Sequence, residues 1–227
     1  MTRKILDDFS IDTMWPHIEY LGSLDKTSGT QGEFEAVEYL CKQLKGYGVK
    51  FKIFDYKSYL SYPWKGSLEW KTSDTSKKIE AKTRAFSANT PEEGITGKVI
   101  YVPGGKDMFT ETDTLAAMQQ MDLKGKIVLT EGGGRQNMIF VQNQGAIGYI
   151  HMWPSDEDVI HEGIVTSIWG GPTPEKIDKL LKIPVLGIKN KDGLEIIENL
   201  SNGIDVWVNM YSKTENGWKR QLLLEAT

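Results

Sequence analysis

Apolar residues recur along this chain with two different periods. Trp15, Ile18 and Leu21 or Tyr20 follow helical spacing, and Gly22 ends the run. Thr13 is placed to cap this helix, and Pro16 falls early, where first-turn amides lack intrahelical partners and a missing N–H is tolerated. A second stripe, Phe34, Val37, Leu40, Cys41 and Leu44, follows Thr30 and Glu33, which are spaced as in a capping box. It predicts a helix to about Lys45 that stops at Gly46 or Gly48, with Cys41 as a buried structural thiol.

From residue 49 the period falls to two. Residues 49–56 alternate apolar with polar side chains, the pattern of a half-buried strand, and 67–70 predict another. Between them lies an aromatic stretch, 59–64, that contains Pro63, and 72–78 is a polar turn or loop. Further strands are expected at 79–86, 97–102, 126–129, 147–151, 183–188 and 206–211, and helices at 113–121, 135–144 and 192–200. The chain therefore reads as α+β, a strand-rich unit with a few helices behind a separate helical piece.

Composition narrows the function classes. The 227 residues are 39% apolar and 26% charged, as in an ordinary globular protein, and can bury a sizeable core. A formal charge of −4 gives no basic face for nucleic acid. No stretch approaches the roughly 20 apolar residues of a membrane span. Asp7 and Asp8 interrupt the first residues before a signal-like apolar run forms, so a cytoplasmic protein is expected. A lone cysteine excludes an internal disulfide and a cysteine-rich zinc site.

Candidate chemistry is sparse. His17 and Glu19 stand two apart on a helix, so they point to different faces and cannot easily grip one ion; His17 is read as exposed. His161-Glu162 lies near Asp156-Glu157-Asp158, but the run lacks the alternating oxygen ligands of a calcium loop and reads as solvated charge. Gly132 to Gly134 follow a strand and precede a helix, yet no Gly-Lys-Ser/Thr ending or G-x-G-x-x-G accompanies them, so a tight turn is expected. Arg135, just beyond, could meet a substrate carboxylate. No G-x-S-x-G elbow supplies a serine nucleophile, which argues against a small independent hydrolase.

Two blocks carry a family likeness. Ser28-Gly-Thr-Gln-Gly-Glu-Phe-Glu-Ala-Val-Glu-Tyr-Leu, continuing to Gly48-Val49, is similar to the helix that opens the peptidase domain of zinc-dependent aminopeptidases and glutamate-carboxypeptidase-like proteins. Leu123-Lys-Gly-Lys-Ile-Val-Leu, Gly145-Ala-Ile-Gly-Tyr-Ile, Ile183-Pro-Val-Leu-Gly-Ile and Asp192-Gly-Leu resemble the protease-associated domain inserted in such peptidases. The resemblance implies an open barrel or sandwich with flanking helices at 49–212. It also implies a helical piece of the peptidase domain at 1–48, and the start of the catalytic sheet at 213–227.

That family holds two zinc ions, beginning with a His-x-Asp motif, and no His-x-Asp occurs here. The resemblance thus implies a fragment that starts natively at Met1 and stops shortly before the metal site, with both zinc ions in a missing catalytic domain. The implied role is non-catalytic: shaping substrate access or mediating protein contacts for a parent peptidase that acts on peptides. A free-standing peptide-binding or protein-interaction module is the rival. Helices at 13–45 would then expose apolar faces and are expected to be disordered, docked on the accessory domain or buried against a second copy in a homo-oligomer. The aromatic, glycine-rich loop 153–173 could wall a substrate cleft, which makes Trp153, His161 and Trp169 substrate-side candidates beside Arg135.

Overall fold

The computed structural model describes residues 10–104, 112–131, 134–166 and 171–226. Two compact units emerge: the described residues up to Leu60 with those from Trp218 on, and Ser61–Gly217. The divisions fall inside two long strands.

In the first unit, α1 (Ile11–Gly22) and α2 (Gln31–Gly46) are both formed. Ser10, not Thr13, is the N-cap of α1; Thr13 Oγ1 instead donates back to the Ser10 carbonyl at 2.9 Å. Thr30 caps α2 without a side-chain hydrogen bond, because its hydroxyl donates to the Thr27 carbonyl at 2.6 Å. The other half of the expected box survives one residue earlier, where the Glu33 carboxylate accepts from the Gly29 N–H at 2.8 Å. At the far end Gly48 takes φ +72, and its N–H bonds to Lys45 O while that of Val49 bonds to Leu44 O. This is a Schellman stop, and it favours glycine because a Cβ is strained at that φ.

His17 is half-buried rather than exposed, held by the Tyr39 hydroxyl at 2.6 Å and the Tyr47 hydroxyl at 3.0 Å. The Tyr20 and Tyr39 rings stack at 4.1 Å. Cys41 is likewise only half-buried, and partial burial lifts its thiol above the usual range. No side chain of α1 is fully buried, and of α2 only that of Ala36 is. Trp15 and Ile18 are half exposed. The helices are therefore formed where disorder was one expectation; among the described residues the stripe of α1 stays largely exposed, whereas Phe34, Val37, Leu40, Cys41 and Leu44 of α2 are half-buried.

The expected strands at 49–56 and 67–70 merge with the aromatic stretch between them into one strand, β1 (Phe51–Lys71). Pro63 is accommodated because the β1 ladder to β2 (Ser76–Thr83) begins only at Gly66↔Ala81. The alternation at 49–56 does not produce a buried face: Ile53, Phe54 and Tyr56 all remain exposed. A similar merger makes β7 (Trp207–Ala226) out of the expected 206–211 strand and the terminal leucine run. Within the first unit the Asp55 carboxylate of β1 accepts from Arg220 of β7, from Nε at 3.2 and 3.0 Å and from Nη2 at 2.8 Å.

The second unit is a closed mixed barrel, not an open one, in the order β1-β2-β6-β5-β4-β3-β7. Its remaining strands are β3 (Ile95–Tyr101), β4 (Lys126–Thr130), β5 (Gly148–Met152) and β6 (Val185–Ile188). β3, β4, β5 and β6 run parallel, and β1–β2, β2–β6 and β3–β7 pair antiparallel. The crossovers hold α3 (Thr112–Gln119), α4 (Arg135–Asn143) and a 3-10 turn at Pro174–Lys179. Strands covered on both faces read as continuous apolar runs: all of β5 and β6 is buried, whereas β2 alternates exposed with buried. Leu68, Trp70, Ile127, Leu129, Ile150 and Met210 fill the interior, and α5 (Asn190–Ser201) adds Ile196.

Candidate functional site

The outer face of the barrel carries an unusual polar arrangement where β2, β6 and β5 lie side by side. Lys82 pairs with Gly187, and Gly187 with His151, so Lys82 and His151 flank a position without a side chain. The segment after β5 lies close over that gap: a Cβ at Gly187 would stand 3.2 Å from Ile160 Cγ2 and 3.4 Å from His161 O. Arg84, two residues beyond Lys82, falls on the same face and reaches across to His151, its Nη2 donating to Nδ1 at 2.7 Å.

Backbone bonds fasten the covering segment. Ala85 N–H donates to Gly163 O at 3.0 Å and Val165 N–H to Ala85 O at 3.1 Å, with a parallel bridge at Ala85↔Ile164. Trp153 stacks on His161, centroids 4.0 Å apart at 13°, and the His151 and Trp153 rings lie 6.2 Å apart. The structure thus brings two of the four expected residues together. Arg135 does not join them; its Nη2 donates to the Lys179 carbonyl at 3.4 Å. Trp169, Gly132 and Gly133 lie outside the described residues, and Gly134 is the N-cap of α4.

Arg84 and His151 are 8% and 5% exposed. A guanidinium can only donate, so Nδ1 must accept and His151 is the neutral Nε2–H tautomer. Burial, then the charges of Arg84 and His161, holds His151 well below the usual histidine range. Burial also lowers Arg84 to about 10. Among the described residues Arg84 makes no ion pair, and its Nε has no partner. A buried cation against a neutral ring is costly, since the interior replaces none of the lost hydration with opposite charge.

Beside this pair runs a groove of about 560 Å³. Pro63, Trp64, Lys65 and Gly66 of β1 line it with Ala81 to Thr83, Ala85, Glu162 and Gly163. Trp64 is 68% exposed. Lys82 Nζ contacts Glu162 Oε1 at 2.6 Å, and Lys65 Nζ lies 5.7 Å from the Tyr211 ring centroid. Asp158 binds Lys189 at 3.2 Å and Lys191 at 2.8 Å, while Asp156, Glu157 and Asp158 all remain exposed, as solvated charge is. Sequence reasoning did not single out Arg84, Lys82 or Trp64. The available signal was the i, i+2 placement of two cations on a strand whose other face is apolar.

Among the described residues no three histidine, cysteine or carboxylate side chains converge. That donor set does not fit a zinc pair. Nor is any helix among the described residues long and apolar enough to cross a membrane.

No protein-family model matches the sequence, and no curated protein does. Solved structures do resemble its fold. An aminopeptidase from Aneurinibacillus sp. strain AM-1 superposes with a TM-score of 0.71 at 21% identity, over 96% of this chain and 47% of that one. A peptidase M28 precursor from Shewanella amazonensis gives 0.70 at 15%, over 92% and 49%. The zinc aminopeptidase BSAP from Bacillus subtilis gives 0.55 at 19%, over 90% and 43%. The chain therefore has the fold found in part of these peptidases, and it spans about half their length or less.

Proposed function

We propose that this chain is a non-catalytic accessory part of a zinc-dependent aminopeptidase. One observation carries the reading: a likeness that takes in nearly all of this chain uses under half of the Aneurinibacillus aminopeptidase. On this reading the unit Ser61–Gly217 is the protease-associated domain. The helices α1 and α2 with the outer ends of β1 and β7 belong to the peptidase domain, whose remainder holds two zinc ions. The uncovered Trp15, Ile18, Tyr47 and Phe54 fit surfaces made for that remainder. Trp153 and His161, with Trp169 and Arg135, shape the approach of a peptide in the cytoplasm.

A second reading, a free-standing peptide-binding module, draws on the groove along Trp64. The coding sequence beyond Thr227 separates the two. Continuation into a segment with His-x-Asp is the expected result; a stop codon at that point removes the peptidase reading and leaves the module, alone or as a homo-oligomer.

A further inference from the structure

We infer that the groove between Pro63–Gly66 and Glu162–Gly163 binds an extended acidic peptide segment, with Lys65 and Lys82 at its rim and the Arg84 guanidinium beneath its floor. It rests on the reading above only in taking a peptide as the ligand.

The charge argument is local. The whole chain carries −4, yet among the described residues the groove's ionisable side chains are Lys65, Lys82 and Glu162, two cations against one carboxylate. A further cation lies directly behind the lining. Thr83 and Ala85 on either side of Arg84 both face the groove, and a Cβ at Gly163 would stand 2.7 Å from Arg84 Cζ. Gly163 thus separates the guanidinium from the groove by backbone alone. Arg84 is buried, lacks a carboxylate partner among the described residues and has an unsatisfied Nε, so its field is poorly compensated and little screened.

The shape suits an extended chain. A groove with one wall from a β-strand and the other from a strand-like segment bridged to Ala85 presents main chain along its length. Trp64, largely exposed at the edge, offers a flat apolar surface for a side chain between two acidic ones. Pairing with Glu162 occupies Lys82 in the free protein, so an incoming carboxylate competes with Glu162 for that ammonium.

The test uses the full 227-residue chain and fluorescein-labelled hexaglutamate, read by fluorescence anisotropy at low salt. Saturable binding is expected, about tenfold or more tighter than to labelled hexaglutamine, and weakening as salt screens the charges. Lys65→Glu, with an unchanged circular dichroism spectrum, should weaken binding by a similar factor, and Arg84→Met should weaken it without touching the rim. Equal binding of the two peptides, no binding, or Lys65→Glu binding like the parent chain would overturn the proposal. So would equal affinity for an oligothymidylate of the same charge. Because the readout is binding by this chain, its failure leaves the peptidase reading intact, and a stop codon after Thr227 leaves the groove intact.

Discussion

Replacing Trp70 with alanine is expected to lower stability by about 3–5 kcal/mol, the largest loss from any single side chain considered. Trp70 is 2% exposed and packs in the barrel interior on β1, where strand pairing to β2 at Trp70↔Lys77 fixes its backbone. Removing the indole leaves a cavity that surrounding strands cannot close, because each is held by ladders on both sides. Its Nε1–H, however, is buried without a partner among the described residues. Trp70→Phe removes that unsatisfied donor while keeping most of the apolar volume, so it should cost less than half as much as alanine. Urea denaturation of the two variants measures both values. Equal losses would mean that the indole N–H is satisfied in solution or that the ring packs less tightly than described.

Arg84→Met should do the opposite and raise stability, by about 1–3 kcal/mol, since removing a buried cation that has no counter-charge among the described residues outweighs losing its hydrogen bond to His151 Nδ1. The same substitution changes the acid response. Burial and the Arg84 charge depress His151 in the folded protein, whereas the unfolded ring titrates near about 6.5. Below that value the unfolded chain takes up a proton that the folded one refuses. The His151 contribution is therefore present above pH of about 6.5 and is lost as the pH falls below it. In Arg84→Met burial still acts but one repelling charge is gone, so stability should fall less steeply between neutral and acid pH. Thermal melts across this range check the slope. A destabilised variant would contradict this, and would mean that the bond to His151 or a carboxylate partner outweighs the cost of burying the Arg84 charge.

If Arg84→Met is both more stable and a poorer binder of acidic peptide, the strain of the buried guanidinium is kept for recognition rather than for folding. Such an exchange of stability for binding is common where a site needs an uncompensated charge.

Much of the barrel was legible in the sequence. β4, β5 and β6 are short apolar runs, and α4 and α5 carry helical stripes between turn residues, so each was placed within about two residues. The two longest strands were not. Local pattern suggested breaks at 59–64 and after 211, but β1 and β7 run unbroken through both. Closure of the barrel was equally invisible, because it depends on β7 returning beside β1.

The candidate site was half legible. Trp153 and His161 stood out in an aromatic, glycine-rich loop, and they do stack. Arg84 and His151 are 67 positions apart on strands that neither follow one another nor pair directly, so only the register of β2, β6 and β5 reveals their meeting. Of the acidic residues read as solvated charge, Glu162 and Asp158 are paired with Lys82 of β2, with Lys191 of α5 and with Lys189, which caps α5, partners lying far away in sequence.

The claim that this chain is the accessory, non-catalytic part of an aminopeptidase is tested most directly by assaying the purified 227-residue protein against leucine p-nitroanilide with added zinc, before and after a chelator. The account predicts no chelator-sensitive release of nitroaniline at any protein concentration. Saturable turnover that the chelator abolishes and zinc restores would contradict it.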